Sequence, residues 1–544
     1  MRNKLILISI FILAFFLRFY QLGSNPPSLD WDEAALGYNA YSILQTARDE
    51  YGNFLPLTFR SFGDYKPPLY VYLSVLPVKI FGLNEVAVRF PSALFGALSV
   101  VVGYFLIKKL FSGKNNLFFL TFTLLFAVSP WHIQFSRIAF EANVALFFYI
   151  CGVWLFLKSL NKPIFSFLSL LSFGLSLYTY HSPRLVIPAL FAGLILIFIK
   201  KIKENYKWYL TAFFLFLIFV SPILWQLKSA TGARFGSVTI LNADERLGES
   251  IKNAQSDIKN GDYFGSLMHN RRIIFGRDIL SGYIDHFNFN FLFLNGDAAN
   301  RHHAVGMGML YLWDLPFILI GLYLLAKSWG KFSLVVLYWF LVAPLASSLT
   351  KATPHAVRAL LYLPTYQIFV ALGISEIIKL YKSGSFSGGR NFSLKNNILL
   401  SVICLLFSAN ILYYLHSYYI HTPKAYADAW QYGYKEVISE VAKIESEYKK
   451  VVMTYQYDQP YIFYLFYRQI DPVWYQSQWG GGEVLRDTRA FGIYEFRKIN
   501  WNNDSQERNI LLVGTPKEIP ENPVGLIKNI YFPDGSVAFR VVAR

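Results

Sequence analysis

Residues 89–111, RFPSALFGALSVVVGYFLIKKLF, form an apolar segment with no charged side chain between Arg89 and Lys108. A helix needs about 18 to 20 such residues to cross a hydrocarbon layer about 30 Å thick, whereas a soluble helix of that length carries a polar face. Segments of this kind recur along the chain, which is 54% hydrophobic and only 16% charged. The sequence therefore predicts an all-α polytopic membrane protein rather than a soluble one.

The apolar segments predict about eleven transmembrane helices. A further apolar segment, residues 67–81, is short and has prolines near both ends, so it is predicted to be an interfacial or re-entrant helix. The predicted spans lie near residues 4–22, 89–111, 116–131, 142–160, 163–180, 183–200, 207–226, 308–327, 331–350, 356–379 and 397–419.

The basic residues predict orientation rather than nucleic-acid binding. The formal net charge is +17, but the lysines and arginines lie mostly in short loops between spans and not on a soluble domain with interleaved aromatic residues. One set of loops is rich in lysine, and the alternate short loops carry only four basic residues: Arg137, Arg184, Lys351 and Arg358. The positive-inside rule then places the N-terminus in the cytoplasm and the C-terminus outside, in a plasma (inner) membrane.

Three long segments are predicted to share the extracytoplasmic face: residues 23–88, 228–305 and 421–544. Residues 1–420 are predicted to form the transmembrane domain, and residues 421–544 a small soluble α/β domain. Within the latter, the sequence predicts a helix over 425–448, strands over 450–455 and 509–513, and a hairpin over 529–542 that turns at Asp534-Gly535.

The first long loop contains adjacent carboxylates, Asp32 and Glu33, in the sequence SLDWDEAALGY, residues 28–38. They precede a predicted helix over 34–47, whose N-terminus favours negative charge, so one interpretation is an N-cap. Asp30 and Asp32 also form Asp-x-Asp, which can hold a divalent metal, but this motif is common by chance and a metal-free role for the carboxylates ranks above it. The remaining interpretation is a catalytic acid or base.

The same loop ends in DYKPPLY, residues 64–70, which places Asp64 and Lys66 before two prolines. The prolines fix the backbone that leads into the predicted interfacial helix and hold Lys66 near the headgroup level. Lys66 could simply extend its ammonium to lipid phosphate. Alternatively, it could supply the cation for a lipid-linked phosphate leaving group.

Further polar residues occur where other spans reach the same predicted face. Arg137 and Glu141 could pair along one helical turn, or add a phosphate ligand and a second acid to a site. The histidine pair 302–303 suggests metal ligation, but adjacent side chains point apart on a helix, so this is not favoured. The other candidates of this group are His181, Arg184, His303 and Arg358. Because the spans carry almost no charge near their centres, the pattern favours a membrane-level active site over a transporter.

Several motifs, in order, resemble those of glycosyltransferase family 39. They are Trp31-Asp32-Glu33 after a first span, residues 64–68, Arg89-Phe90-Pro91-Ser92 at the start of the next span, Ser136-Arg137 through Glu141, and residues 291–303 followed by 310–321. The resemblance covers roughly the first 420 residues. The family has the GT-C membrane fold and includes polyprenyl-phosphate-mannose protein mannosyltransferases and lipid A aminoarabinose transferases.

The resemblance implies transfer of a sugar, with inversion, from a polyprenyl-phosphate donor to an acceptor hydroxyl of a protein, lipid A or a cell-surface glycan. By position in the motifs, Asp32 would be the general base and Glu33 would orient the acceptor or the base. Lys66, with Arg137 or Arg184, would neutralise the departing phosphate.

The resemblance implies that the transfer requires no cofactor, and that a divalent metal is possible but not favoured. One reason is that aminoarabinose transferases carry an acid directly before the motif lysine, where this chain has Tyr65. Two other function classes remain open. An O-antigen polymerase or ligase also uses extracytoplasmic lipid-linked sugars but lacks an Asp-Glu pair after its first span, and a lipid-linked sugar flippase would carry ionisable groups at the membrane midplane.

Overall fold

A computed structural model of the protein describes residues 2–226, 239–240, 244–382, 392–479 and 489–544. Parts of the predicted second long loop, at 228–238 and 241–243, lie outside the described residues. The described chain is predominantly helical, with a two-stranded and a six-stranded sheet.

Two compact units can be distinguished. The first consists of Met1–Leu17, Gly96–Phe135 and Ala142–Tyr414, and the second of Arg18–Phe95, Ser136–Glu141 and Leu415–Arg544. The chain therefore enters the second unit three times.

The helices up to the second long loop follow the apolar segments of the sequence. Residues 59–66 form a short antiparallel hairpin, β1 (Phe59–Ser61) and β2 (Asp64–Lys66), before the predicted interfacial helix, which is confirmed as helical. The helices are α1 (Arg2–Phe19), α2 (Trp31–Thr46), α3 (Leu69–Phe81), α4 (Glu85–Leu110), α5 (Asn116–Ala127), α6 (Pro130–Ser136), α7 (Glu141–Ser159), α8 (Phe165–Leu177), α9 (Pro183–Glu204) and α10 (Tyr206–Gln226).

The second long loop is largely helical where it is described, and more apolar helices follow it. A π-helical turn, Asn290–Leu294, and a 3-10 turn, Leu360–Tyr362, interrupt this part of the chain. The helices are α11 (Asp244–Lys259), α12 (Tyr263–Met268), α13 (Arg271–Asp285), α14 (Asp314–Ser328), α15 (Lys331–Val342), α16 (Leu345–Ser348), α17 (Thr365–Lys382) and α18 (Phe392–His416).

Among the described residues, seven helices are long and apolar enough to cross a membrane, and a bent pair, α5 and α6, brings the number to eight. The protein is thus a multi-pass membrane protein. Each of the eleven predicted spans contains a helix, while the number of true crossings stays a prediction.

Several predicted spans differ from the observed helices, and three of them do so for clear local reasons. The segment 116–131 bends by 51° between α5 and α6, where Pro130 has no amide hydrogen for a continuous helix. The segment 356–379 becomes α-helical only after Pro364, which follows the 3-10 turn. The segment 308–327 begins with bends and turns, in which Leu310 N–H donates to the carbonyl of Leu292 at 2.7 Å, and α14 starts at Asp314.

Close approach of α14 and α17 in the first unit depends on two glycines. A Cβ atom at Gly321 would meet the backbone of Phe369, and one at Gly373 would meet the backbone of Phe317. Because backbone atoms cannot move aside as a flexible side chain can, larger residues at either position would force the two helices apart.

In the second unit, the C-terminal residues form a six-stranded mixed sheet in the order β4-β5-β3-β6-β8-β7, in which β3 is parallel to β5 and β6 and the other pairs are antiparallel. Val452, Leu512 and Val542, from three neighbouring strands, are fully buried in its core. The strands are β3 (Lys450–Met453), β4 (Arg489–Phe491), β5 (Tyr494–Phe496), β6 (Ile510–Gly514), β7 (Leu526–Tyr531) and β8 (Val537–Ala543). The helices are α19 (Thr422–Ala425), α20 (Tyr434–Val441), α21 (Pro460–Tyr467), α22 (Pro472–Trp479) and α23 (Trp501–Asp504).

The predicted strands at 450–455 and 509–513 and the hairpin turning at Asp534-Gly535 are confirmed. The predicted helix over 425–448 is wrong in extent, since the described helix there is Tyr434–Val441. Gly433 precedes it with φ of 105°, a left-handed conformation that a continuous helix cannot contain.

Candidate active site

The first loop is organised by the N-terminus of α2. The Asp30 side chain accepts the Glu33 amide at 2.8 Å, and the Glu33 carboxylate accepts the Asp30 amide in return at 3.3 Å. This reciprocal pair is a capping box, and it satisfies two amides that a helix end otherwise leaves without partners. The N-cap is therefore Asp30, and the helix begins at Trp31, three residues before the predicted start. Asp32, in the first turn, takes no part in the capping box.

Glu33 is fully buried and forms an ion pair with Arg89 of α4. Arg89 Nε donates to Glu33 Oε1 and Arg89 Nη2 donates to Glu33 Oε2, both at 2.9 Å. The Ala139 amide also donates to Glu33 Oε1, at 2.8 Å. Arg89 is also fully buried, and its remaining N–H groups donate to the carbonyls of Leu22, Pro26 and Ser28. Such a pair is tolerated in a dry interior only because nearly every lone pair and proton has a partner. It fixes the loop before α2 against α4.

Lys66 lies between two carboxylates. Its Nζ is 2.9 Å from Asp32 Oδ1 and 3.7 Å from Glu141 Oε1. The Lys66 and Glu141 side chains are each 9% exposed, whereas the Asp32 side chain is 33% exposed. Asp32 is thus the solvent-accessible member of a partly buried cluster, which is the arrangement expected of a group that must meet a substrate.

Different elements position the three side chains. Asp32 lies in the first turn of α2, Lys66 ends β2 directly before the prolines, and Glu141 begins α7. Asp64 lies two residues before Lys66 on the same strand, and its Oδ1 accepts the Tyr65 amide at 2.7 Å.

Arg137 is fully buried beside a backbone loop of the second unit. Its Nη2 donates to the Asn25 carbonyl at 2.9 Å, its Nε donates to the Tyr418 hydroxyl at 3.0 Å, and its guanidinium carbon lies 5.4 and 5.3 Å from the ring centroids of Tyr418 and Tyr419. The Asn25 side chain in turn donates to the Tyr418 carbonyl at 3.3 Å. These bonds join the residues before α2, the α6–α7 connection and the segment that follows α18.

The remaining predicted site residues belong to the first unit. The Arg184 amide donates to the His181 carbonyl at 3.0 Å at the start of α9. Arg184 is the one charged residue among the described residues that line an apolar groove of about 690 Å³ between α8, α9 and α10. It lies at the end of the groove near Leu177 and Ile223, while Ile202 and Tyr206 lie at the other.

His303 and Arg358 are bound to neighbouring backbone and side chains. His303 Nε2 lies 3.1 Å from the Asp297 carbonyl and Nδ1 lies 3.1 Å from the Ala304 carbonyl, and burial lowers the pKa of this imidazole. Arg358 Nη1 donates to Thr350 Oγ1 at 2.7 Å and to the Lys351 carbonyl at 3.0 Å.

Sequence reasoning did not single out Arg89, Asn25 or Tyr418 as site residues. A signal for Arg89 was available, because an arginine that opens a long apolar helix needs a partner in the same low-dielectric region. Asn25 and Tyr418 are 393 residues apart, so their contact has no local signal.

Residues 65–225 match the family model described as dolichyl-phosphate-mannose-protein mannosyltransferase. An uncharacterized protein of Aquifex aeolicus is 29% identical over 192 residues, which are 35% of this chain and 36% of that protein. The putative mannosyltransferase YkcB of Bacillus subtilis is 25% identical over 161 residues, 29% of this chain and 21% of that protein. The matches thus span about a third and about a fifth of these relatives.

Solved structures match over nearly the whole chain. ArnT from Cupriavidus metallidurans in the apo state covers 98% of this chain and 97% of its own, with a TM-score of 0.55 at 11% identity. This chain has the GT-C fold. The same enzyme bound to undecaprenyl phosphate gives a TM-score of 0.55 at 10% identity with the same coverage. The apo oligosaccharyltransferase of Archaeoglobus fulgidus covers 95% of this chain and 70% of its own, with a TM-score of 0.51 at 11% identity.

The family match over residues 65–225 confirms the resemblance to glycosyltransferase family 39, and the solved structures show the GT-C fold. The predicted fold class, helical and polytopic with a small C-terminal α/β domain, is confirmed as well. The motif region around Lys66 and Glu141 lies inside the matched residues 65–225, whereas Asp32 and Glu33 precede them.

Proposed function

We propose that this GT-C chain transfers a sugar from a polyprenyl-phosphate donor to an acceptor hydroxyl, with inversion at the anomeric carbon. The observation that carries the proposal is the 2.9 Å contact between Lys66 Nζ and Asp32 Oδ1 with Glu141 beside it. A base and a cation at this separation match a reaction in which one proton is removed and one phosphate departs.

In the proposed step, Asp32 takes the proton of the acceptor hydroxyl. The acceptor oxygen forms a bond to the anomeric carbon on the face opposite the phosphate, and the bond between that carbon and the phosphate oxygen breaks. The electron pair leaves with the polyprenyl phosphate, and the transferred proton stays on Asp32. Asp32 suits this role because it is the more exposed of the two carboxylates beside Lys66.

Lys66 neutralises the phosphate as it departs. Without donor, Asp32 is the nearest anion to the Lys66 ammonium, and a donor phosphate that binds the ammonium takes over that role. Asp32 then becomes available to the acceptor, so donor binding prepares the base. Glu141 lies on the other side of Lys66 and helps to hold the ammonium in place.

Glu33, Arg89 and Arg137 are positioning residues in this proposal. Glu33 is fully buried and accepts from Arg89 and from two backbone amides, so it orients the turn that carries Asp32 instead of touching the acceptor. Arg137 directs its guanidinium to Asn25 and Tyr418 in the same way.

A polyprenyl-phosphate donor is supported by the neighbours, since the family name describes a dolichyl phosphate sugar and one ArnT structure holds undecaprenyl phosphate. The groove between α8, α9 and α10 has apolar walls that suit an isoprenoid chain, and Arg184 at one end suits a phosphate. We propose that this groove binds donor lipid.

The proposed transfer requires no metal ion, because Lys66 supplies the cation and Asp30 is occupied in the capping box. Nucleotide sugars are cytoplasmic, so a transferase on the opposite face needs a donor anchored in the membrane. We therefore place Asp32 and the C-terminal domain on the extracytoplasmic side of the plasma membrane, with the N-terminus in the cytoplasm.

The experiment is to incubate membranes that contain the protein with radiolabelled polyprenyl-phosphate sugars, and to follow label into protein, lipid A and glycan fractions. Transfer by the wild type, and none by membranes lacking the protein, is the expected result. The fraction labelled also names the acceptor. If all label remains on the donor lipid with mannose, aminoarabinose and glucose donors alike, the proposed reaction is wrong.

A further inference from the structure

A second polar cluster lies in the first unit, among residues that follow the π-helical turn and residues that precede the 3-10 turn. Asp297, His302 and His355 each offer one ligand atom, and these atoms lie within 4.8 Å of one another. His302 Nδ1 is 2.7 Å from Asp297 Oδ2, and His355 Nδ1 is 4.0 Å from the same oxygen. Asp297 and His302 are buried.

The spacing is close to what a small cation needs. Zinc binds histidine nitrogen and carboxylate oxygen at about 2.0 to 2.2 Å, which in a tetrahedron separates ligand atoms by about 3.3 to 3.6 Å. The two distances to Asp297 Oδ2, 2.7 and 4.0 Å, lie on either side of that value. Shifts of under about 1 Å would place all three atoms around one ion.

His355 supplies the observation that a hydrogen-bond network alone does not explain. Its Nδ1 atom is buried and has no hydrogen-bond partner in the described part of the chain. A buried ring nitrogen without a partner is costly, and 4.0 Å from a carboxylate oxygen is too long for a hydrogen bond. The gap between the two atoms has room for a bridging species.

The surrounding bonds hold the three side chains in place. Asp297 Oδ1 accepts the Ala299 amide at 3.2 Å, and Oδ2 accepts the Ala356 amide at 2.7 Å. The His355 amide lies 3.2 Å from His286 Nε2, and Nδ1 of the same His286 ring lies 2.7 Å from the Gly282 carbonyl. A donor at His286 Nδ1 leaves Nε2 as an acceptor, so this ring anchors the backbone of His355.

We propose that Asp297, His302 and His355 bind one divalent transition-metal ion, with zinc as the best fit to two imidazoles and one carboxylate. The ion takes the place of the proton that His302 Nδ1 directs at Asp297, so the metal-bound ring carries its N–H on Nε2. It links residues 297–302 to residue 355 and stabilises the two loops. It takes no part in the sugar transfer proposed above.

The neighbouring histidine serves as a matched control. Both ring nitrogens of His303 lie near backbone carbonyls, those of Asp297 and Ala304. His303 does not belong to the cluster of ligand atoms formed by Asp297, His302 and His355. The adjacent histidines thus point apart, as the sequence suggested, and only one of them joins the cluster.

The test measures zinc in the full-length protein purified in detergent without chelator. We expect about one zinc per chain by elemental analysis, and at least tenfold less in His355→Gln and His302→Gln, with His303→Gln unchanged. Added Zn²⁺ should raise the Tm of chelator-treated wild type but not that of His355→Gln. Cobalt in place of zinc should give the visible absorption of a tetrahedral site.

A water molecule that bridges His355 and Asp297 is the competing occupant. It predicts no bound metal, no Tm response to Zn²⁺ and no cobalt spectrum, and that result overturns the proposal. Equal zinc loss in His303→Gln would overturn it too. If the histidine variants fail to fold, the zinc content and cobalt spectrum of the wild type still decide between the two occupants.

Discussion

Arg89 and Glu33 form a fully buried ion pair across 56 residues of sequence, with both nitrogen–oxygen distances at 2.9 Å. Glu33 is adjacent to Asp32, the proposed base, and Arg89 begins the apolar segment that defines α4. The pair therefore ties the reactive turn to a membrane helix, and it gives Asp32 a fixed position without using Asp32 itself.

Replacing Arg89 with leucine should destabilise the protein strongly. The substitution leaves the Glu33 carboxylate buried without its cation, which costs about 3 to 5 kcal/mol in known cases. Thermal unfolding of the detergent-purified protein, followed by tryptophan fluorescence, measures the effect. Lys443→Ala is the control, because it breaks a surface pair with Glu440 that solvent screens. Similar Tm losses in the two variants would contradict the positioning role.

Asp32→Asn should lower sugar transfer by at least about 10², since a general base typically contributes about 10² to 10⁴ in rate. The variant should fold normally, because Asp32 lies outside the capping box and asparagine keeps its shape. Initial rates with labelled donor, at equal amounts of protein in the membrane, measure the loss. Asp428→Asn, an exposed position in the C-terminal part of the second unit, is the matched control. Unchanged turnover in Asp32→Asn would remove Asp32 from the mechanism.

Lys66→Ala should raise KM for the donor and lower kcat together, because the ammonium contacts the phosphate both before and during its departure. Lys66→Arg should recover part of the donor affinity, since the positive charge is kept, but less of the rate. Lys79→Ala, in the last turn of α3, tests whether any lysine of this segment has the same effect. If Lys66→Ala lowers only the amount of protein in the membrane, Lys66 acts through lipid headgroups instead.

The sequence predicts the helices well, because a contiguous apolar segment specifies a membrane helix. Residues 89–111 alone, for example, are enough to predict one. It also predicts the hairpin at Asp534-Gly535, where turn residues specify structure locally. The helix over 425–448 is overextended, because Gly433 adopts a positive φ that interrupts it. Two contacts join distant segments of the chain, Arg89 with Glu33 and Asn25 with Tyr418. Local sequence patterns carry no information about such contacts.

Arg184→Gln should raise KM for a polyprenyl-phosphate sugar by about tenfold to a hundredfold, since a hydrogen bond to a charged group is worth about 1.5 to 3 kcal/mol. Chemistry at the sugar should be unaffected, so kcat should change little. Titrating labelled donor against membranes of the variant measures both constants. Lys203→Gln, at the opposite end of α9, is the control. An unchanged KM would exclude Arg184 as a donor ligand.

Glu50 predicts a pH-dependent stability in the second unit. Complete burial raises the pKa of its carboxyl from 4.5 to about 7, even though Arg489 acts to lower it. Between these values the folded protein holds a proton that the unfolded chain has released, so stability falls as the pH rises from about 4.5 to about 7 and is constant above that. A shift of this size corresponds to about 3 kcal/mol.

Glu50→Gln removes this titration while it keeps the size of the side chain. The variant and the wild type should therefore have similar Tm values near pH 4.5, and the variant should become progressively more stable than the wild type up to about pH 7. Taking the difference between the two proteins cancels the other titrating groups, including the buried histidines, whose lowered pKa values act in the opposite direction. A constant Tm difference across this pH range would show that the Glu50 carboxyl is already ionised in the folded protein at pH 4.5.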